Sequence, residues 1–455
     1  MAGGHGEDGG KFHPFAVDPS HIAYAVLGGF VVIFGMFSLL IKEKLYVGEA
    51  PIATIFGIII GAYRSALSTV PSFRGLTYPL ALSPTYQRPL PFATTTNHTG
   101  PYAIGLFDPR AWGGGNVQVS NAITLEVTRV VLAIGVFAIG VELPSKYMRK
   151  HWKSLFFLLV PIMTYGWFVS AGLIYALVPG LTFLSSLVIA ACLTPTDPIL
   201  AAAVVGGKYA NKHVPAHLRH ILAAESGCND GAAFPFLFIA LYLILEKSDE
   251  KAVGEWFYIT WLYEVALGIV FGAALGYAFR HLMKFCERKN LIDRHSYVAQ
   301  YISLAMLAIG ATTLLGSDDL LAAFSCGTAF AWDGWFNKQT EESQFSNVID
   351  LLFNCACFIY IGAWFPFNDF NAPELTITPW RLSLIAILVL LLRRLPAVIA
   401  LHRWIPDIKT FREALFSGHF GPMGVGAVFI STLASTKLPD PVSPPTSQIE
   451  LLACT

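Results

Sequence analysis

Ile221-Leu-Ala-Ala-Glu225-Ser-Gly-Cys-Asn229-Asp230-Gly231, followed by an apolar run to Leu245, sets two acids and an amide inside a helix otherwise fit for lipid. A charge at the bilayer centre costs about 2.5–3.5 kcal/mol on insertion scales, so such an acid points to function by default. The preceding apolar segment is interrupted in the same way, by Leu193-Thr194-Pro195-Thr196-Asp197-Pro198. Two adjacent helices with polar centres are the mark of a path for an ion.

The composition agrees with a membrane reading. The 455 residues are 55% hydrophobic and 13% charged, with mean hydropathy +0.57, whereas soluble domains carry about 25% charged residues. The formal net charge of +0 gives no electrostatic footing for nucleic acid. Of the cysteines, Cys192, Cys228, Cys326, Cys355 and Cys357 lie in apolar or Gly-rich stretches, Cys286 in a basic loop and Cys454 at the terminus. None has metal-ligand or redox-pair spacing, and they read as small core residues.

Residues 1–20 are polar and Gly-rich, and the first apolar stretch, from Ala23 to Lys42-Glu-Lys44, reads as a retained first helix rather than a cleaved signal. Apolar spans fall near 22–41, 50–62, 122–141, 155–178, 183–205, 221–245, 258–279, 298–316, 319–332, 347–366, 382–400 and 421–436. The expectation is an all-α polytopic membrane protein of about twelve transmembrane helices. Loops after the odd-numbered spans hold Lys42, Lys44, Lys146, Arg149, Lys150, Lys153, Lys208, Lys212, Arg219, Arg280, Lys284, Arg288, Lys289, Arg294, Lys338, Arg403, Lys409 and Arg412. The opposite loops hold only Arg64, Arg74, Arg88, Arg110, Lys247 and Lys251. The richer set belongs in the cytoplasm, which puts the N-terminus outside.

Two spans are broken. Pro195 and Pro198 bracket Asp197 in the fifth, and the twelfth opens with Gly418-His-Phe-Gly421-Pro422-Met-Gly424-Val-Gly426. Irregular backbone at membrane depth survives only where protein or a water-filled cavity satisfies it. A pair of Gly/Pro-interrupted spans in matching positions of two halves, here seven spans apart, is the sequence pointer to a transporter site built from inverted repeats.

At about 100° per residue, Glu225 and Asn229 share a helix face while Asp230 is turned away from both. The two acids therefore address different neighbours. Glu225 reads as a structural charge whose partner is Arg393 or Arg394, in Leu391-Leu-Arg-Arg-Leu-Pro396, because a buried carboxylate and guanidinium persist only when paired. Asp230 reads as the exchanging group. Monovalent cations such as Na⁺ take oxygen ligands by the hardness argument that applies to Ca²⁺ and Mg²⁺, and a proton competes for the same carboxylate. Thr196, Asp197 and Asn229 complete the candidate oxygen shell, with Na⁺ at Asp230 and Asp197. Gly227 and Gly231 flank it and permit close helix approach.

Blander roles stand beside these. Asp197 also fits the cap of a half-helix N-terminus. Glu142, Asp318 and Asp319 are accessory candidates: Glu142 sits at a span end beside a basic loop, while Asp318-Asp319 and Asp333, at the two ends of the ninth span, read as solvated loop before they read as a cation-attracting mouth. His220 and His419 read as interfacial histidines.

Thr194-Pro-Thr196-Asp197-Pro followed by Glu225-Ser-Gly-Cys-Asn229-Asp230 resembles the core of monovalent cation/proton antiporters. Ser38-Leu-Leu-Ile-Lys-Glu-Lys-Leu-Tyr-Val-Gly-Glu-Ala, Leu106-Phe-Asp-Pro-Arg110, Ile123-Thr-Leu-Glu-Val-Thr-Arg129, Val136-Phe-Ala-Ile-Gly-Val-Glu-Leu-Pro144 and Phe420-Gly-Pro-Met-Gly-Val-Gly-Ala427 are similar to the fungal plasma-membrane Na⁺/H⁺ antiporters. The resemblance covers about residues 20–62 and 100–436. It implies thirteen helices in inverted repeats with two crossing broken helices, a core that moves elevator-fashion against a dimerisation domain, and a homodimer in the plasma membrane. It implies exchange of Na⁺, with Li⁺ or K⁺ as alternatives, for H⁺, serving salt tolerance and pH homeostasis. No cofactor, catalytic residue or nucleic-acid partner is implied beyond the transported ions and the lipid bilayer. Asp230 would be the ion and proton carrier, supported by Asn229, with Thr196 and Asp197 in the crossing-helix site and Glu225 paired to an arginine.

The chain departs from that pattern twice. Within the antiporter domain, 21–436, the segment 62–99 is rich in Pro, Ser and Thr, lacks helical period and carries the sequon Asn97-His98-Thr99; it reads as an insert of unspliced-intron character. At 437–455 the expected last helix is replaced by a stretch that opens Pro439-Asp-Pro-Val-Ser-Pro-Pro-Thr446 and runs to Thr455. Two other classes compete. An intramembrane aspartyl protease also needs two acids on adjacent helices, but its Gly-x-Gly-Asp is missing around Asp197, Asp230 and Asp318. A cation channel or a transport-dead membrane sensor of the same fold is the alternative that flux measurements separate.

Overall fold

The computed structural model describes residues 19–39, 41, 48–61, 107–113, 116–205, 207–292, 294–340, 345–373 and 376–438. These are helical almost throughout: α1 (Pro19–Leu39), α2 (Glu49–Ile60), α3 (Val117–Glu142), α4 (Tyr147–Phe157), α5 (Met163–Leu177), α6 (Phe183–Leu193), α7 (Pro198–Val205), α8 (Gly207–His213), α9 (Ala216–Ala232), α10 (Phe234–Leu245), α11 (Asp249–Glu255), α12 (Leu267–Arg288), α13 (Arg294–Leu315), α14 (Asp319–Phe330), α15 (Trp335–Thr340), α16 (Phe345–Trp364), α17 (Pro379–Leu392), α18 (Leu395–Leu401), α19 (Phe411–His419) and α20 (Val425–Lys437). Among the described residues the only β pairing is two isolated bridges, Gly61 with Phe107 and Ala372 with Ile377.

Each apolar stretch of the sequence is a helix or a pair of helices. Where two helices share a span, a residue explains the joint. Pro161 lacks a backbone donor, and α4 meets α5 through a π turn at Leu158–Ile162. Cys286, expected in a basic loop, lies inside α12, which runs on to Arg288 before the chain turns at Asn290. Polar side chains close several helix starts: Asn116 accepts the Gln118 N–H at 2.9 Å and Thr182 accepts that of Ser185 at 3.1 Å, satisfying amides the helix leaves orphaned.

The helices pack as two groups. In one, α12, α13, α3 and α16 gather around α14 and α2. In the other, α5, α6, α10, α17 and α20 pack together, with α18 on α19 and α4 and α7 on α9. Glycine makes the tightest contacts of the first group. Gly272 and Gly276 of α12 lie directly against the backbone of Ala322 and Cys326 on α14, with no room for a Cβ, the close approach that small residues allow in lipid. The seam between the groups is formed by α3 and α14 on one side and α9, α7 and α20 on the other. Peripheral helices turn large apolar side chains outward, among them Phe257, Tyr258 and Val270, as a lipid-facing surface requires. Among the described residues, six helices or joined helices are long and apolar enough to cross a membrane, and shorter apolar helices accompany them.

The insert 62–99 and the terminal segment after Leu438 fall outside the described residues. The described chain on either side of the insert meets: the Phe107 N–H donates to Ile60 O at 3.1 Å.

Candidate functional site

The two interrupted spans cross at the seam. Helix α6 ends at Leu193, the chain runs unwound through Thr194–Asp197, and α7 starts at Pro198. Opposite, α19 ends at His419 and α20 starts at Val425. The Asp197 N–H donates to Pro422 O at 2.8 Å, tying one unwound segment to the other.

Such a crossing leaves helix ends pointing into the membrane, with partial positive charge at each N-terminus and partial negative charge at each C-terminus. The structure answers both. Asp197 Oδ1 accepts the N–H groups of Ile199 and Leu200, each at 2.9 Å, and Oδ2 accepts that of Gly426 at 3.3 Å. One carboxylate thereby caps α7 and reaches the start of α20. At the C-terminal end of α6, the Arg393 guanidinium donates to the carbonyls of Leu193, Thr194 and Pro195, and through Nη2 to Gly421 O at 2.6 Å.

Arg393 is thus a backbone brace, and the arginine that pairs with Glu225 is Arg394. Its Nη1 and Nη2 meet Oε1 and Oε2 of Glu225 in a two-pronged contact, the second at 2.6 Å, and its Nε donates to Ser417 O at 2.9 Å. The glutamate is 2% exposed and Arg394 7%, so each satisfies a charge that water does not reach.

Asp230 faces elsewhere, as helical geometry requires, while Asn229 stays on the Glu225 face. The Asn229 Nδ2 donates to Thr196 Oγ1 at 2.7 Å, and Thr196 shares a 2.9 Å hydrogen bond with Ser226 Oγ. Ser226 stood inside the quoted motif without a role, and only the fold shows that it joins this network. Asp230 is fully buried, and neither of its oxygens has a hydrogen-bond partner; Asn229 Oδ1 is equally unpartnered. The start of α20 presses on it. A Cβ on Gly426 would stand 2.5 Å from Asp230 Oδ1, and one on Gly424 would stand 2.6 Å from Asp197 Oδ2. These two positions must be glycine for the backbone to approach both acids.

Asp318 and Asp319 overturn the solvated-loop reading. They are 0% and 4% exposed. Asp318 caps α14 through the Leu321 N–H at 2.9 Å, while its Oδ2 has no partner and lies against Gly231, the residue after Asp230. The turn before α14 is held inside by the π stretch Trp256–Ala266, whose Glu264 carbonyl accepts the Ser317 hydroxyl at 2.7 Å and the Asp318 N–H at 3.3 Å. A polar pair beside the long apolar run of the eighth span looks like a loop in sequence; tertiary packing buries it at the seam. Asp333, at the other end of α14, stays partly exposed beside Lys284. Glu142 ends α3 exposed and joins neither cluster. His419 is exposed, and His220 is half-buried with its ring 6.0 Å from that of Tyr147.

The crossing therefore holds unpartnered hard oxygens, from Asp230 and Asn229, beside two unwound backbones, with an unpartnered oxygen of Asp318 on the Gly231 side of α9. Among the described residues no group of three His, Cys, Asp or Glu is set to hold a metal as a fixed centre. An oxygen-lined site at a helix crossing in the membrane is the architecture of a secondary transporter for small cations.

Comparison with known proteins agrees. Residues 29–447 match the family described as "Sodium/hydrogen exchanger, transmembrane", and the chain belongs to that family. It is 46% identical over 423 residues to a probable Na⁺/H⁺ antiporter of Schizosaccharomyces pombe, covering 93% of this chain and 50% of that protein. A Na⁺/H⁺ antiporter of Saccharomyces cerevisiae is also 46% identical, over 93% of this chain and 38% of its own length. A second antiporter of S. pombe is 38% identical over 94% of this chain and 82% of its own. The chain thus spans half or less of the length of the first two relatives. The fold matches the sodium proton antiporter MjNhaP1 from Methanocaldococcus jannaschii with TM-score 0.63 and 17% identity, over 96% of this chain and 94% of that one. The resemblance to fungal antiporters read from the motifs is borne out.

Proposed function

We propose that this protein exchanges Na⁺, or Li⁺ or K⁺ in its place, for H⁺ across the membrane, with Asp230 as the carboxylate that binds either ion. The observation that carries this reading is Asp230 itself, fully buried at the crossing with both oxygens unpartnered. A buried carboxylate without a hydrogen bond has two ways to be satisfied, a proton or a cation. Asn229 Oδ1, Asp318 Oδ2 and the unwound backbone supply further oxygens, while Thr196 and Ser226 orient Asn229. Asp197, its oxygens largely taken by N–H groups, acts at the site through its charge and by fixing the crossing. The two helix groups suit a homodimer in which one group slides along the other at the α3–α14 face, in the plasma membrane, for salt tolerance and pH homeostasis.

The test is transport in vesicles loaded at one pH and diluted into another. Proton-coupled Na⁺ flux that disappears in Asp230→Asn supports exchange. Wild-type flux indifferent to the proton gradient would mean a channel, and a folded wild-type protein that moves no cation would mean a sensor.

We also propose that residues 62–99 are dispensable, since Ile60 and Phe107, described on either side of them, are hydrogen-bonded to each other. Deleting that segment is expected to leave folding and transport intact; a deletion that abolishes membrane insertion overturns this.

A further inference from the structure

One arginine at the seam takes no part in the helix crossing. Arg129, on α3, sets Nη1 3.3 Å from Asp319 Oδ2 and donates from the same nitrogen to the Thr313 hydroxyl at 3.1 Å. Thr313 in turn lies 3.4 Å from Asp319 Oδ2. The Arg129 Nε is 3.6 Å from the largely exposed Glu126, one turn back on α3. Its guanidinium carbon lies 5.8 Å from the centre of the Phe429 ring on α20. A single cationic group therefore touches α13 and α14 in one helix group and α20 in the other.

The two adjacent acids at the start of α14 are treated differently. Asp319 has a guanidinium and a hydroxyl. Asp318 has only the Leu321 N–H on one oxygen, and its other oxygen faces the Gly231 side of α9 without a partner. The charges that bear on Asp230 are those of Asp197 and Asp318; those that bear on Asp318 include Asp319 and Glu264. A transported cation entering here would meet a run of carboxylates, and Arg129 is the fixed cation that satisfies one of them.

We propose that Arg129 is a tethered counter-cation: by occupying Asp319 it keeps a further carboxylate from holding the transported ion, and so sets the affinity low enough for release. This rests on the exchange reading of Asp230. A site in a transport path must bind well enough to admit the ion and weakly enough to let it go. One uncompensated charge about 10 Å away, at an effective dielectric of about 20, changes ion affinity by about an order of magnitude. Arg129 is a positioning residue; it is not a ligand of the ion.

The two members of the pair should act with opposite sign. In Arg129→Gln, Asp319 is free to attract the cation, so the apparent KM for Na⁺ should fall about tenfold and the maximal rate should fall with it, because release slows. In Asp319→Asn, an unpaired guanidinium repels the cation and KM should rise by a similar factor. The double variant Arg129→Gln/Asp319→Asn and the conservative Arg129→Lys should both return KM toward the wild-type value. The readouts are initial rates of Na⁺-driven proton movement in vesicles and the melting temperature of each variant in detergent. Should a single variant fail to fold, the double variant, which buries no unpaired charge, carries the test. KM shifts of the same sign in the two single variants, or a folded double variant with strongly altered KM, overturn the proposal. A wild-type protein without proton-coupled Na⁺ movement overturns instead the exchange reading on which it rests.

Discussion

Gly426→Ala places a methyl group 2.5 Å from Asp230 Oδ1, 3.0 Å from its Cγ and 3.2 Å from Oδ2. Ordinary contact begins at 3.4 Å, so the shortfall against Oδ1 is 0.9 Å (3.4 − 2.5). No hydrogen bond holds the Asp230 oxygens, so the side chain gives way before the helix does. Stability should therefore change little. Transport should not survive so well, because ion–oxygen distances at a hard cation vary by only a few tenths of an ångström. A displacement of this size at a reacting group costs about a hundredfold, and that is the loss expected in Na⁺-driven proton flux. Gly424→Ala makes the contrasting case. Its methyl would stand 2.6 Å from Asp197 Oδ2 and 2.8 Å from Leu200 Cδ1, and Asp197 is fixed by its N–H donors. Here the strain has nowhere to go, and overpacking of about 1–3 kcal/mol should lower the melting temperature in detergent. Gly310→Ala, where a Cβ meets nothing within 4 Å, is the control. A folded Gly426→Ala protein with wild-type affinity and rate would refute the assignment of Asp230 to the site.

Other substitutions separate structural charge from transport charge. Glu225→Gln leaves Arg394 buried without its carboxylate and should destabilise the protein by about 3–5 kcal/mol, seen as a large fall in melting temperature, whereas Asp230→Asn should abolish exchange at nearly unchanged stability. Gly276→Leu should split α12 from α14, where the glycine meets the Cys326 and Phe330 backbone, and should abolish folded protein in a size-exclusion profile. Asp333 lies in the turn after α14: partial burial works against its charge, but the Lys284 hydrogen bond, the Trp335 N–H and the charges of Lys284 and Arg280 hold the carboxyl below its usual range. A depressed carboxylate contributes stability that is present above its unfolded value, about 3.9, and is lost as pH falls through the lower folded value. Melting temperature should thus decline from pH 5 toward pH 3, and Asp333→Asn should flatten part of that decline; a variant whose profile overlays the wild type counts against the pairing.

The sequence disclosed those features that membrane physics makes expensive. An acid or a proline inside an apolar span has to be justified, and so Asp197, Asn229, Asp230 and the two broken spans stood out. Helical angle alone separated Glu225 from Asp230. It could not choose between Arg393 and Arg394, which are neighbours in the chain; the choice depends on the joint between α17 and α18, which sends one guanidinium to the α6 carbonyls and the other to Glu225. Asp318 and Asp319 look like loop in the sequence because a turn that folds back into the protein and one that enters water share the same residue types. Arg129 carried no local signal of a role. Its partner lies 190 positions away (319 − 129) and is visible only once α3 packs on α14.

The distribution of charge at the crossing explains why one acid is left free. Two helix N-termini and two C-termini meet at the crossing, and each needs an opposite charge nearby; the end of α19 has that of Arg394, whose Nε donates to Ser417 O. Asp197 serves α7 and the start of α20, and Arg393 serves α6. Glu225 is consumed by Arg394. Every fixed electrostatic debt of the broken helices is therefore settled without Asp230. A carboxylate needed to hold the fold would resist protonation, and exchanging its partner would loosen the crossing in each cycle. In the exchange proposed for Asp230, which has no such duty, its proton or cation would come and go while the helices around it stay assembled.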